Sequence, residues 1–246
     1  MPRKVLVVDS VHKTYKGGVY AVRGVSFTVY EGEIYGLIGP NGAGKTTTLR
    51  MIAGLIKPSK GSITVDGVDA VREPFRARKL VGYLPEEAEV YSRLKGIEHL
   101  KFYAELYGVN NVDEVVEYGA SLSGLGSRLY ERAGNYSKGM KRRLLLAIVL
   151  MRKPRLALLD EPTSGLDVYA SVHVREVIKK YVRETRSSVV LSSHNMLEVE
   201  YLCDRIGFMY NGRIILEGSP KSIIDEYGVD NLEEAFTKAI EEFRSA

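Results

Sequence analysis

The segment Gly39-Pro-Asn-Gly-Ala-Gly44-Lys45-Thr46 sets three glycines ahead of a lysine and a hydroxyl residue, a combination suited to holding phosphate. The glycines let consecutive backbone N–H groups turn inward around an anion where a Cβ would obstruct them. Lys45 adds a point charge for the outer phosphates, and the Thr46 hydroxyl is an oxygen ligand for Mg²⁺. An apolar run at Glu33–Ile38 reads as a strand before the loop, and about Gly44 to Ala53 reads as a helix after it. That context completes the strand–GxxxxGK[ST]–helix pattern, with the helix dipole aimed at the same anion. A random chain of this length matches the bare pattern on the order of once in a hundred, given glycine at about 7% of residues. The expected ligand is ATP, surrounded by Gly39, Asn41, Gly42, Ala43, Gly44, Lys45, Thr46 and Thr47.

A second constellation is Leu156-Ala-Leu-Leu159-Asp160-Glu161, a continuous apolar run ending in two acids. Strands buried on both faces read this way, and open α/β sheets place ligands at the carboxyl ends of their strands. Asp160 is then positioned to hold Mg²⁺ through its hydration shell, and Glu161 to polarise the water that attacks the γ-phosphate. Val189-Val-Leu-Ser-Ser-His194 is another such run with a polar tip, which directs His194 toward the γ-phosphate. Lys45, Glu161 and His194 form the expected catalytic set.

The elements that must position these groups alternate. Lys4–Val8 and Val25–Tyr30 read as strands, Ser62–Val65 ends in the turn Asp66-Gly67, and Gly54 suits a helix C-terminal cap. From Glu86 to about Leu150 the pattern is helical, interrupted at Gly96, Gly108, Gly119 and Gly124. Strands return at Leu156–Leu159 and Ser188–Ser192, followed by helical stretches at Val168–Glu184 and Asn195–Leu202. Ile206–Tyr210 and Arg213–Glu217 flank Asn211-Gly212, a strong hairpin signal, and a helix at Leu232–Phe243 follows. The expected fold is α/β: a core with a mixed, largely parallel sheet and an N-terminal antiparallel β lobe (1–85 and 154–220). A helical lobe is inserted at 86–153 and a helical tail runs over 221–246, all in a single domain spanning 1–246.

Bulk properties narrow the class. The chain has 246 residues, 45% hydrophobic and 27% charged, with a mean hydropathy of −0.12. Its longest apolar run, Leu144–Met151, falls far short of the roughly 20 residues needed to cross a bilayer. No secretory signal pattern precedes Val5–Val8, so a cytoplasmic protein is expected, peripheral on the inner face of the membrane if a partner holds it there. The formal net charge of +4 gives no footing for nucleic acid, and the single cysteine, Cys203, forms no internal disulfide. Gln is absent altogether, a bias that leans toward a thermophilic source.

Together these motifs resemble the nucleotide-binding subunit of ATP-binding-cassette transporters over nearly the whole chain. The phosphate loop, the Leu156–Glu161 strand, Ser164-Gly-Leu-Asp167 and His194 stand in the family's order and spacing. Tyr136-Ser137-Lys138-Gly139-Met140 looks like the family's signature motif. The resemblance implies a P-loop NTPase fold and a head-to-tail dimer, with a second copy or a sister subunit. Ser137 and Gly139 of one subunit would contact the γ-phosphate held by the other, and Asp167 would link the two sites. Tyr15 matches the aromatic residue that stacks on adenine. Lys138, Lys141, Arg142 and Arg143 crowd the start of a helix, where the dipole disfavours cations, and an arriving triphosphate would offset that cost.

Two motifs depart from the family pattern. Glu86 stands where a glutamine usually faces the metal; its carboxylate oxygen can still face Mg²⁺, but it cannot donate a hydrogen bond as an amide does. The signature motif carries Lys138 and Met140 in place of Gly and Gln. Both changes resemble the branch of daunorubicin-type drug exporters and related efflux systems. The implied function is an ATPase subunit energising separate membrane-spanning permease subunits for export. The alternatives are a soluble ATPase of the superfamily acting in DNA repair or translation, and an importer ATPase.

Overall fold

In the computed structural model, which describes residues 2–245, the chain opens with two antiparallel strands, β1 (Lys4–Thr14) and β2 (Tyr20–Tyr30). Each outruns the stretch its alternation reveals. The pairing shifts register between Val8 and Val11, and Ser10 sits at φ +47°. A bulge of this kind inverts which residues face inward, so the period of two breaks in mid-strand. The strand β3 (Ile34–Ile38) enters the glycine-rich loop, and α1 (Lys45–Ile52) leaves it. A hairpin of β4 (Lys60–Val65) and β5 (Val68–Asp69) turns at Asp66-Gly67.

Next come α2 (Pro74–Leu80) and β6 (Val81–Leu84), neither of which the sequence reveals. Seven and four residues are too few to establish a period. Between β6 and β7 (Leu156–Asp160) lie α3 (Gly96–Leu106), α4 (Val112–Ser123), two short 3₁₀ turns and α5 (Lys138–Leu150). The chain continues through α6 (Val168–Thr185), β8 (Ser188–Ser193), α7 (Met196–Leu202), β9 (Arg205–Tyr210) and β10 (Arg213–Gly218). It closes with α8 (Pro220–Tyr227), capped by Ser219, and α9 (Leu232–Ser245); the sequence marks α8 only as part of a helical tail over 221–246. The ends of the expected single domain, residues 1 and 246, lie outside the described residues.

The fold is α/β, as expected. A four-stranded antiparallel sheet has the order β2-β1-β4-β5. The six-stranded sheet has the order β10-β9-β3-β8-β7-β6, parallel except for the β9–β10 hairpin. Its central strands bury both faces. Leu156 and Leu158 join α1 and the antiparallel sheet in one core, while Ala157 and Leu159 pack in another with α5, α6 and α9. This double burial explains the unbroken apolar runs. The consequence for function is that β3, β7 and β8 lie adjacent and end on the same edge, where Ile38 pairs with Ser193 and Asp160 with Ser192. Among the described residues no helix is long and apolar enough to cross a membrane.

Candidate active site

The phosphate loop is held from behind by backbone. Gly39 has φ +150°, and a Cβ there would collide with the Met209 carbonyl oxygen; Gly44 has φ +107° and lies against the Ala21 carbonyl oxygen. The Asn211-Gly212 turn braces the same loop, since Gly212 N–H donates to Ala43 O at 3.0 Å. Lys45, 6% exposed, arches back so that its Nζ donates to Gly39 O at 2.6 Å and Pro40 O at 3.3 Å. The same ammonium lies 3.7 Å from Glu161 Oε1.

Asp160, 1% exposed, collects three hydroxyl donors. Thr46 Oγ1 and Ser192 Oγ donate to Oδ1 at 3.1 and 2.6 Å, and the Tyr83 hydroxyl donates to Oδ2 at 3.3 Å. Burial, with the Asp160 charge adding to it, pushes the Tyr83 hydroxyl up to about 12. Glu161, 7% exposed, stands at φ +47°, a conformation that strains a residue with a Cβ. Its N–H donates to Ser192 Oγ at 2.9 Å, and its Oε2 lies 2.8 Å from Nδ1 of His194. His194, its side chain 56% exposed, therefore pairs with the Glu161 carboxylate.

Around the loop opens a cleft of about 280 Å³ whose lining includes Tyr15, Asn41, Lys45, Thr47, Glu86 and Glu161. The Tyr15 hydroxyl lies 3.5 Å from Thr47 Oγ1, and Lys13 Nζ sits 5.4 Å above its ring. The structure thus gathers Tyr15, residues 39–47, Glu86, Asp160, Glu161 and His194 on one edge. Ser137, Gly139 and Asp167 do not line this cleft. Ser137 caps α5 by accepting the Met140 N–H, and Asp167 caps α6 by accepting the Ala170 N–H.

The basic cluster at the start of α5 needs correcting. Only Lys138 and Lys141 remain there as side chains not committed to backbone carbonyls. Arg143 Nε donates to Ser123 O at 2.9 Å and its Nη2 to Gly124 O, satisfying carbonyls at the end of α4. Arg142 is buried and donates to backbone carbonyls behind the site. In sequence an inward and an outward arginine look alike.

Sequence reasoning also missed Ser192, Tyr83 and Glu198. Glu198, 2% exposed, accepts from Thr163 Oγ1 at 2.6 Å and Ser193 Oγ at 2.8 Å, tying the chain after Glu161 to the chain before His194. Burial pushes its carboxyl up. For Ser192 and Tyr83 the available signal was a hydroxyl residue inside a short strand, where a buried hydroxyl must find a partner; Glu198, within α7, carried no such signal.

A family model described as ABC transporter matches residues 22–164. The linearmycin resistance ATP-binding protein LnrL of Bacillus subtilis is 37% identical over 244 residues, covering 97% of this chain and 76% of that protein. The ABC transporter ATP-binding protein NatA of the same organism is 39% identical over 221 residues, covering 89% of each. Among solved structures, an ATP-binding subunit of an ABC transporter superposes with a TM-score of 0.85 at 29% identity, covering 96% of this chain and 99% of that one. With its phosphate loop and acidic pair on one sheet edge, the chain belongs to the ABC transporter family as an ATP-binding, ATP-hydrolysing cassette.

Proposed function

We propose that this chain hydrolyses Mg·ATP at a site closed by the signature segment of a second cassette, and so drives export through separate membrane-spanning subunits. The observation that carries the reading is the meeting of Lys45, Asp160, Glu161 and His194 at one sheet edge, where Glu161 contacts both Lys45 and His194 and Asp160 holds Thr46. The residues present fit Mg²⁺: Thr46 Oγ1 and the Asp160 carboxylate meet at 3.1 Å, and Glu86 lines the same cleft, all oxygen donors of the kind a hard cation takes. When bound, the ion would neutralise charge on the phosphates.

In this mechanism the N–H groups of residues 39–47 and Lys45 hold the phosphates, while Tyr15 stacks on adenine. The His194 bond fixes Glu161 Oε2, and Oε1, 3.7 Å from Lys45 until the phosphates draw that ammonium away, accepts the proton of the attacking water. Ser137 and the Gly139 backbone, at the positive end of α5, close over the γ-phosphate held by the other cassette, and Asp167 links the two sites. Export is supported by the resistance function in the name of LnrL and by the exporter-like Glu86, Lys138 and Met140. The protein then works on the cytoplasmic face of the membrane, held there by its partners.

Glu161→Gln tests the assignment. Turnover should fall at least 100-fold while ATP-dependent dimers persist in light scattering. Hydrolysis at the wild-type rate would remove Glu161 as the base.

A further inference from the structure

We propose that Arg142 is the positioning residue that sets the Glu161 turn, and that it transmits engagement of the signature segment to the site on the same chain. Arg142 is 7% exposed. A guanidinium has five N–H donors, and here each one meets a backbone carbonyl. Nε donates to Pro162 O at 3.0 Å, and Nη1 donates to Pro85 O at 3.0 Å and Glu86 O at 3.2 Å. Nη2 donates to Asp160 O at 2.7 Å and Glu161 O at 2.8 Å.

Three segments therefore meet at one side chain: the end of β7 with the turn beyond it, the chain after β6 that carries Glu86, and α5. Glu161 holds its left-handed conformation between two anchors, Arg142 on its carbonyl and Ser192 on its N–H. Such a conformation persists only where its surroundings over-determine it. Arg142 also lies one turn of helix beyond Gly139. A displacement of α5 when Ser137 and Gly139 meet the other cassette's nucleotide is carried directly to the Glu161 backbone. This step rests on the trans site proposed above.

Lysine retains the charge but offers three N–H donors in place of a planar fork of five. The test compares Arg142→Lys and Arg142→Met with wild type, using Lys45→Ala and Glu161→Gln as references. Four quantities are read: ATP affinity by calorimetry, kcat, melting temperature, and ATP-dependent dimer formation in the Glu161→Gln background. For Arg142→Lys we expect kcat to fall at least tenfold, with ATP affinity within threefold of wild type and dimers still forming. Arg142→Met should lose more turnover, and if its unpaired carbonyls prevent folding, Arg142→Lys alone carries the test.

A folded Arg142→Lys with kcat within threefold of wild type would overturn the proposal. So would parallel losses of affinity, dimer formation and melting temperature, which mark a purely structural residue. Wild-type hydrolysis by Glu161→Gln would instead strike the assignment of the base, so the two failures are distinguishable.

Discussion

Ser192→Ala removes a single buried hydroxyl that both acids of the site depend on. In the structure Ser192 is fully buried, donates to Asp160 Oδ1 at 2.6 Å and accepts the Glu161 N–H at 2.9 Å. A hydrogen bond to a charged group contributes about 1.5–3 kcal/mol, and a buried N–H left unsatisfied costs about 1–3 kcal/mol. The two effects share one atom and do not add fully, and Asp160 keeps its donors Thr46 and Tyr83. The expected loss of stability is about 2–4 kcal/mol, read from the midpoint of urea unfolding at constant slope. Because the Glu161 turn loses its N–H anchor, kcat at saturating ATP should also fall at least tenfold. A variant within about 0.5 kcal/mol of wild type that also has an unchanged kcat would refute the view that Ser192 holds both acids in place.

Two further outcomes follow from neighbouring residues. Tyr15→Ala should weaken ATP binding by about 5- to 150-fold, the equivalent of roughly 1–3 kcal/mol of base stacking, while Tyr15→Phe binds as wild type; calorimetry with ATP measures both. Glu198 carries a carboxyl raised above its unfolded value of 4.5, so its contribution to stability is full below that pH and is lost as pH rises through the raised folded value. Glu198→Gln should therefore gain on wild type steadily as pH increases from 4.5 toward neutrality, seen as a narrowing or reversing difference in melting temperature. A difference that stays constant across that range would contradict a raised Glu198.

What the sequence reveals of the fold and site depends on how local the physics is. The 39–46 loop is legible because its glycines meet a backbone demand within eight residues, and Asp160, Glu161 and His194 because each ends an apolar run at a ligand-binding sheet edge. The bulge at Ser10 hid half of β1, and the brevity of α2 and β6 hid both. Arg142 escaped for a different reason: its five partners come from residues 18 to 57 positions away, and no local pattern marks a cation that folding turns inward. The partners of Ser192 and Glu198 likewise belong to other elements or to the turns between them, so a buried hydroxyl or carboxylate signals a need for partners without naming them.

In the proposed dimer the cleft of one chain is completed by the signature segment of another. Lys45→Ala disables the phosphate loop, and Ser137→Arg blocks the signature segment, so each variant alone should be inactive. Mixed in equal amounts, they should regain ATPase activity, because half of the sites in a mixed dimer join an intact loop to an intact signature segment. No recovery, under conditions where co-purification of differently tagged copies shows that mixed dimers form, would contradict a site shared between two chains.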